Sequence, residues 1–190
     1  MPPKVKISRE EIVSAALGLV RERGEEALNA RAVAVALSCS TQPVFSNFGS
    51  MEELRAAVLE AAYAVYTDFL RRETEMGKYP QYKSFGMAYI RFAAEEKELF
   101  RFLFMRDRRG EANSPTLDFD ASVEYIMEKN GVSRELATMI HLEVWIFVHG
   151  IAVMVATSFL SLEWEMISDM LSDAYQGIRM WHLEGKNERD

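Results

Sequence analysis

The chain has 190 residues, of which 49% are hydrophobic and 27% charged, enough for one substantial helical core or a small module beside a larger domain. Its single cysteine excludes a disulfide framework and a cysteine-built metal cluster, and suits a reducing cytoplasm. The net charge of −7 is uneven, because residues 1–50 carry +1 and the remainder carries −8. A near-neutral segment with a basic start, joined to an acidic body, still permits nucleic-acid binding.

The first half of the chain predicts short helices with recognisable ends. Ser8 and Glu11 form a capping box before a first amphipathic helix, which Gly24 ends in a left-handed conformation. Asn29 caps a second helix. The side chains that this second helix is predicted to bury are Val33, Ala34 and Leu37.

A tight turn and a third short helix come next. Ser38, Cys39 and Ser40 form the turn, with Cys39 interpreted as a small buried residue and Ser40 as the cap of a helix that ends at Gly49. Pro43 is tolerated in the first turn of that helix. Two helices this short bury too little surface for stability alone, but they can display the second one, as a DNA-binding helix-turn-helix does.

The remaining sequence is also helical by its pattern, without strand-like alternation. Ser50 and Glu53 predict a second capping box, which opens a long helix through roughly residue 73. Gly77 and Pro80 then interrupt the pattern, while residues 108–115 predict a polar loop and the tail begins at residue 184. Further helices are predicted at 81–94, 96–106, 117–130, 134–158 and 163–183. We therefore expect an all-α fold.

One apolar stretch is close to the length of a membrane span. Residues 144–162 contain no Asp, Glu, Lys or Arg, but polar side chains interrupt the stretch and its flanks are acidic. The N-terminal residues also lack the apolar run of a secretory signal. We expect a core or subunit-interface helix, no membrane partner and a cytoplasmic location.

Residues 8–60 resemble the DNA-binding region of the tetracycline-repressor (TetR) family of bacterial transcriptional regulators. The resemblance implies a three-helix helix-turn-helix head in residues 1–50 and a larger helical ligand-binding and dimerisation domain in residues 51–190. Residues 145–150 also look like a motif found in one branch of such ligand domains. The elements that carry the match, in order and spacing, are Glu22-Arg23-Gly24, Arg31-Ala32-Val33-Ala34, Val44-Phe45-Ser46-Asn47-Phe48 and Ser50-Met51-Glu52-Glu53-Leu54.

Three positions depart from the family pattern. Ser38 stands where the turn usually has Gly, so we expect a strained or differently shaped turn. Phe45 lacks the phenol that often contacts phosphate there, and Met51 replaces a basic residue. Each departure is expected to lower DNA affinity more than it affects the fold.

The third helix is predicted to enter the major groove of DNA. Gln42 can bond adenine through its amide, Thr41 can contact a thymine methyl group, and Ser46 or Asn47 can hold base or phosphate. Because the helix contains no Arg or Lys, we expect recognition through amide and apolar contacts plus DNA shape. The alternative is a surface helix without a role. The residues expected to point partly inward are Val44, Phe45 and Phe48.

Basic residues beside this helix are candidates for phosphate contacts. Arg31 can pair with phosphate together with helix-terminal amides. Lys4, Lys6 and Arg9 form either a basic tail that reaches the DNA backbone or minor groove, or a solvated terminus. The complete predicted DNA-binding set is Lys4, Lys6, Arg31, Ser40, Thr41, Gln42, Phe45, Ser46 and Asn47.

Aromatic residues crowd the later helices, and core packing is the default role of each. A ligand cavity would use those with polar tips. The residues predicted to bind an unknown small-molecule effector are Tyr66, Tyr89, Tyr125, Trp145 and His149. The last two helices are apolar on too many faces for a monomer, which predicts a two-fold four-helix interface. Its candidate residues are Ile151, Val155, Phe159, Met166, Met170 and Tyr175.

An enzyme has little support, since no nucleophile elbow, phosphate-binding glycine loop or spaced carboxylate pair occurs. The only cluster to weigh as a metal site is His141, Glu143 and His149, but His141 and Glu143 are two apart on a helix and point apart. The sequence therefore predicts a dimeric, effector-responsive repressor of a palindromic operator, without a cofactor. The alternative is a helical small-molecule sensor or protein-interaction dimer with little or no DNA binding.

Overall fold

The computed structural model describes residues 7–107 and 119–184, and every regular element in those ranges is helical, as predicted. A 3-10 turn at Glu25–Ala27 follows the first helix. Where both ends can be compared, the later helices lie within two residues of the prediction. The predicted loop at 108–115 and the tail beyond residue 184 lie outside the described ranges. The α-helices are α1 (Arg9–Arg23), α2 (Ala30–Ala36), α3 (Gln42–Asn47), α4 (Met51–Glu75), α5 (Gln81–Glu95), α6 (Lys97–Phe104), α7 (Phe119–Asn130), α8 (Arg134–Ala156) and α9 (Trp164–Glu184).

The described residues form two compact units. The first unit comprises residues 7–68 and 96–107, and the second comprises residues 69–95 and 119–184. The first unit extends past the head predicted at 1–50, because α6 packs on α1. Residue 50 is the last residue before α4, and α4 contributes residues to both units.

The first unit is held together by an apolar core. Its short helices bury few side chains of their own, since α2 buries two and α3 buries one. Helices of this length are not stable in isolation, so the shared core holds them in place. Each large side chain so buried contributes about 1.5–3 kcal/mol. The residues that form this core include Ile12, Leu19, Val20, Val33, Val44, Phe48, Leu54, Val58, Leu99, Phe100 and Leu103.

The predicted helix starts are confirmed at α1 and α2. The Ser8 hydroxyl accepts from the Glu11 amide at 3.1 Å, and the Glu11 carboxylate accepts from the Ser8 amide at 2.7 Å. At α2, the Asn29 side chain accepts from the Ala32 amide at 2.9 Å. Gly24 ends α1 with φ of 79°, in the left-handed region.

The predicted caps of α3 and α4 need correction. Ser40 does not cap α3, because Thr41 is the residue before Gln42, and Thr41 makes no capping bond. At α4, the Ser50 hydroxyl accepts from the Glu53 amide at 3.2 Å, but the Glu53 carboxylate accepts from the Gly49 amide at 2.7 Å, one residue earlier than expected. The helix predicted to end at Gly49 ends at Asn47.

The second unit is built around α8. Helices α5, α7 and α9 all pack on α8, and α5 also packs on α9. Gly86 permits the close approach of α5, since a Cβ there would lie 2.9 Å from Leu171 and 3.4 Å from Val148. Among the described residues α8 alone is long and apolar enough to cross a membrane, and 39% of its most apolar window is buried in the fold. One such helix is weak support for a membrane span. Its packing is that of the predicted core helix.

Candidate functional site

Helix α3 has one side buried in the core of the first unit and the rest of its surface exposed. Val44 and Phe48 are each 1% exposed in the core of the first unit. Thr41 and Gln42 are exposed at the start of the helix. Phe45, expected to point partly inward, is 55% exposed, because it lies about 100° around the helix from the buried Val44. The surface of α3 thus presents an amide, a hydroxyl and an apolar ring together.

Other predicted DNA-reading side chains bond to their own backbone. The Ser46 hydroxyl donates to the Gln42 carbonyl at 2.8 Å. The Asn47 amide nitrogen donates to the Pro43 carbonyl at 2.8 Å and to the Ile7 carbonyl at 3.5 Å. Ser40 is exposed. Ser46 and Asn47 therefore have less bonding capacity left for DNA than Thr41 and Gln42.

The turn between α2 and α3 is strained in the way the sequence predicts. Ser38 has φ of 52°, a left-handed conformation that side chains other than glycine rarely adopt. Such a conformation costs about 1–2 kcal/mol for a residue with a Cβ. Two backbone hydrogen bonds hold the turn. The Ser38 amide donates to the Val35 carbonyl at 3.0 Å, and the Cys39 amide donates to the Ala34 carbonyl at 2.9 Å.

Arg9 is exposed, but it bonds other residues of the first unit and does not extend as a basic tail. Its Nη1 donates to the Asn47 carbonyl at 2.7 Å and to the Glu53 carboxylate at 2.9 Å. Its guanidinium also lies 4.0 Å from the centre of the Phe48 ring. The hydrogen bond from the Gly49 amide, and then that from Arg9, hold the pKa of Glu53 below its usual value. Arg9 therefore joins the starts of α1 and α4 to the end of α3, which sequence reasoning missed although Arg9 is the first residue of a helix.

Other arginines of the first unit also have acidic partners. Arg21 bonds Glu96, with one Nε–Oε2 distance of 2.8 Å, and Arg55 bonds Glu25. Arg31 differs, because it is exposed and makes no ion pair within residues 7–107 and 119–184. Its guanidinium is free to meet a phosphate. Lys4 and Lys6 lie outside the described residues.

Three of the five predicted effector residues lie together in the second unit. The Tyr89 hydroxyl and His149 Nδ1 are 2.9 Å apart, and Trp145 stacks on His149 at 5.1 Å with 10° between the rings. Burial lowers the pKa of His149, which favours the neutral form of the ring. Tyr66 belongs to the first unit instead, where it meets Phe104 edge-on at 5.1 Å.

Tyr125 belongs to a different group of rings, which we call the aromatic cluster: Tyr82, Phe119, Tyr125, His141 and Tyr175. Tyr82 stacks on Tyr125 at 5.6 Å and lies 5.2 Å from Tyr175. The Tyr82 hydroxyl and His141 Nδ1 are 2.9 Å apart, and Phe119 meets His141 edge-on at 4.7 Å. Burial lowers the pKa of His141 to about 4 and raises that of Tyr82.

Two polar atoms of the aromatic cluster are buried without a hydrogen-bond partner in the described part of the chain. They are His141 Nε2 and the Tyr175 hydroxyl oxygen. An unpaired buried polar group costs about 1–3 kcal/mol. Sequence reasoning weighed His141 only as a metal ligand and missed its pairing with Tyr82. The one available signal was a histidine on the apolar face of α8.

The cluster weighed as a metal site is not assembled. Across residues 7–107 and 119–184, no group of three or more His, Cys, Asp or Glu side chains could hold a metal ion. Glu143 instead bonds His182 Nε2 at 2.9 Å.

A shallow groove of 610 Å³ lies on the first unit, between α1 and α4. Its walls include Val13 and Leu17 from α1 and Ala61 from α4. None of the predicted effector residues lines it.

Helices α8 and α9 expose large apolar side chains. Ile151, predicted to lie at a subunit interface, is only 6% exposed and belongs to the core, and the hydroxyl of Tyr175 is enclosed in the aromatic cluster. Gly150 has no atom within 4 Å of an added Cβ. The residues that are exposed on this apolar face are Met139, Leu142, Ile146, Met154, Met166, Met180 and Trp181, with Phe159 and Leu160 in the connecting turn.

No protein-family model matches the chain, and no curated protein matches its sequence. Solved structures do match its fold. A TetR-family member from Streptomyces coelicolor A3 is 15% identical with a TM-score of 0.63, over 87% of this chain and 96% of that one. A TetR-like transcriptional regulator from Rhodococcus sp. RHA1 is 18% identical with a TM-score of 0.66, over 94% and 98%.

A TetR variant from Acinetobacter baumannii AYE, in complex with minocycline, is 16% identical with a TM-score of 0.55, over 97% of this chain and 99% of that one. Identities this low establish the fold alone. The chain therefore has the TetR-family fold, with an N-terminal helix-turn-helix and a helical C-terminal part.

Proposed function

We propose that this chain is a cytoplasmic, effector-responsive transcriptional regulator that binds a palindromic operator as a homodimer, most simply as a repressor. The observation that supports this best is the display of α3. Its buried Val44 and Phe48 fix the helix, while exposed Thr41, Gln42 and Phe45 face outward. A short helix fixed in this way offers base-reading side chains to a major groove.

The charges of the first unit support a proposed mode of DNA binding that uses few phosphate contacts. Arg9, Arg21 and Arg55 are engaged by carboxylates, so they add little to phosphate binding. Arg31 is exposed at the start of α2, and α2 packs against α3, so we propose it for a phosphate contact. With few phosphate contacts we expect a shallow salt dependence and a preference for A·T pairs, read by Gln42 on adenine and by Phe45 on thymine methyl groups. Lys4 and Lys6 are proposed to add contacts from the N-terminus.

A second copy of the chain is the proposed partner of the apolar face on α8 and α9. That face exposes large side chains along both helices, including Ile146 at 58% and Trp181 at 54%. Contiguous exposed apolar surface is typical of subunit interfaces. The open space beside Gly150 would admit a partner helix. Dimerisation also serves recognition, because two copies of α3 must lie about 34–36 Å apart to read successive major grooves.

The proposed effector site is the group formed by Tyr89, Trp145 and His149. A neutral imidazole and an indole stacked in parallel offer a flat surface with polar edges. Helix α4 runs from residues of the first unit into residues of the second. An effector would change DNA affinity by binding two arrangements of the protein unequally.

The test is selection of the full-length protein against random duplex DNA, with binding to the enriched sequences measured across salt concentrations. A palindrome with half-sites one helical turn apart, or a multiple of that, supports the proposal. No enrichment from folded protein, with and without candidate effectors, would contradict it and favour the sensor or protein-interaction dimer.

Two variants separate base reading from phosphate contact. Gln42→Ala is expected to relax base preference at one position of the DNA site. Arg31→Ala is expected to lower the affinity for all DNA sequences alike. Arg23→Ala is the charge-matched control, because it is exposed at the end of α1, about 21 Å along the helix from Arg9. Equal losses from the Arg31 and Arg23 variants would contradict the phosphate contact.

A further inference from the structure

The open groove between α1 and α4 has room for a small ligand. Its volume is 610 Å³, and sites for small molecules measure about 300–1,000 Å³. Ala57, Ala61 and Ala64 line it from α4, where their spacing places them on one face of the helix. Val13 and Leu17 line it from α1. These apolar walls suit an aliphatic chain, and the small alanine side chains leave the space for it.

The charged side chains of the groove give it a negative potential. Glu10 of α1 and Glu60 of α4 line it, are exposed, and form no ion pair in the described part of the chain. Among the described lining residues Arg9 is the one cation, and its guanidinium already bonds the Glu53 carboxylate. The groove is therefore complementary in charge to a cation.

The charges and the apolar walls are arranged in order along the groove. The Arg9–Glu53 bond brings the starts of α1 and α4 together at one end. Glu10 follows Arg9 directly at that end, whereas Leu17 lies about 12 Å further along α1. On α4, Ala64 lies one helical turn beyond Glu60. The carboxylates thus precede the purely apolar end, as a charged head followed by an apolar chain requires.

We propose that the groove between α1 and α4 binds a small organic cation, with an ammonium group near Glu10 and Glu60 and an aliphatic chain along the apolar end. The same carboxylates disfavour an anion. Occupation would also affect α3, because Arg9 lines the groove and donates to the Asn47 carbonyl at the end of α3. That regulatory role rests on the proposed function, whereas the binding does not.

The binding test compares octylammonium, 1-octanol and octanoate, which have equal numbers of carbon atoms and differ in charge. NMR titration of full-length protein with labelled alanine methyl groups should show shifts at Ala57, Ala61 and Ala64. These methyl groups report the groove separately from the apolar face on α8 and α9, which also attracts alkyl chains. We expect octylammonium to bind about fivefold more tightly than 1-octanol, and octanoate to bind least. Added salt should reduce the difference.

Charge variants test the carboxylates. Glu60→Gln should lower the affinity for octylammonium about twofold and leave that for 1-octanol unchanged. Adding Glu10→Gln should abolish the preference for the cation. Glu22→Gln is the charge-matched control, because Glu22 is exposed on α1 about 18 Å along the helix from Glu10. Equal losses from the Glu22 and Glu60 variants would assign the effect to net charge and overturn the site.

A steric variant tests the apolar end. Ala61→Leu fills the groove and should abolish the binding of octylammonium and 1-octanol. Ala56→Leu, at an exposed position of α4 outside the groove, should change neither affinity. Unchanged binding in the Ala61 variant would overturn the site, and Glu60→Gln keeps the test decisive if the Ala61 variant does not fold. A changed oligomeric state of Glu60→Gln by light scattering would assign the groove to a second copy of the chain and overturn the small cation.

These measurements need no DNA, so the two proposals can fail separately. Protein that binds octylammonium in the groove but enriches no operator would support the site and contradict the regulator. An operator affinity that octylammonium changes equally in wild type and in Ala61→Leu would contradict the regulatory role of the site.

Discussion

The Arg9 contacts of the first unit and the aromatic cluster of the second differ in how their polar groups are satisfied. Arg9 bonds the Asn47 carbonyl and the Glu53 carboxylate. In the aromatic cluster, His141 and Tyr175 bury polar atoms without a hydrogen-bond partner in the described chain. The first arrangement fixes the end of α3, whereas the second leaves two buried polar groups unsatisfied.

The largest expected effect tests whether the second unit also provides the dimer contact. Gly150→Leu adds a side chain at a position where an added Cβ meets no neighbouring side chain or other helix within 4 Å, so we expect the protomer to fold normally. In a dimer the new side chain would meet the partner helix. We expect a monomer by light scattering and a loss of operator affinity of about a hundredfold or more.

Gly18→Leu is the matched control for this prediction. Gly18 is also helical with no atom within 4 Å of an added Cβ, but it lies in the first unit. It should leave the dimer intact. A dimeric Gly150 variant would mean that the interface lies elsewhere.

As pH falls, we expect the second unit to lose stability before the first. The folded pKa of His141 is lowered from 6.5 to about 4, so its contribution to stability is complete above pH 6.5 and is lost as pH falls toward 4. That loss amounts to about 3 kcal/mol at most. The pKa of Glu53 is lowered in the folded state, so its contribution to stability is complete above pH 4.5 and is lost only as pH falls below that value.

Hydrogen exchange across a pH series would resolve this order residue by residue. Amides of α8 should lose protection between pH 6.5 and 4, and those of α3 below that range. His141→Gln should flatten the pH dependence of the second unit and leave that of the first unchanged. Simultaneous loss in wild type would show that His141 does not control the second unit.

Breaking the Arg9 contacts should loosen α3 without touching the second unit. Arg9→Ala removes two hydrogen bonds and a contact with the Phe48 ring, but the Arg9 side chain is 44% exposed, so we expect a loss of about 1 kcal/mol. Denaturant unfolding measures the loss in free energy of unfolding. Hydrogen exchange of the α3 amides shows whether that loss is located at α3. Arg23→Ala should have almost no effect, and a comparable loss there would assign the result to net charge.

The smallest expected effect compares two strained serines, one in each unit. Ser38 and Ser158 have φ of 52° and 56°, which glycine adopts without strain. Ser38→Gly and Ser158→Gly should each raise stability by about 0.5–1 kcal/mol. Thermal unfolding measures both. A destabilised Ser38 variant would show that its side chain compensates for the strain.

The sequence predicted contacts between residues close together in the chain better than contacts between distant ones. The Ser8–Glu11 box and the Asn29 cap join residues three apart, so spacing reveals them. The Arg9–Asn47 and Tyr82–His141 bonds join residues 38 and 59 apart, and no periodicity reports such pairs. The direction of Phe45 was wrong because one position on a six-residue helix decides between core and surface.

The candidate sites follow the same rule. The α3 residues could be named because the whole motif lies within one short stretch of sequence. The effector residues were chosen by residue type, and the structure distributes Tyr66, Tyr125 and the Tyr89–His149 pair among three surroundings.

Helix α6 has a consequence for engineering. The first unit needs residues 96–107, yet these follow α5 of the second unit along the chain. Replacement of residues 1–50 by those of another protein with this fold, through one crossover at residue 50, would therefore take Glu25 and its partner Arg55 from different parents, and likewise Arg21 and its partner Glu96. A functional chimera should carry both segments of the unit, or retain these two ion pairs and the apolar face of α6 from a single parent.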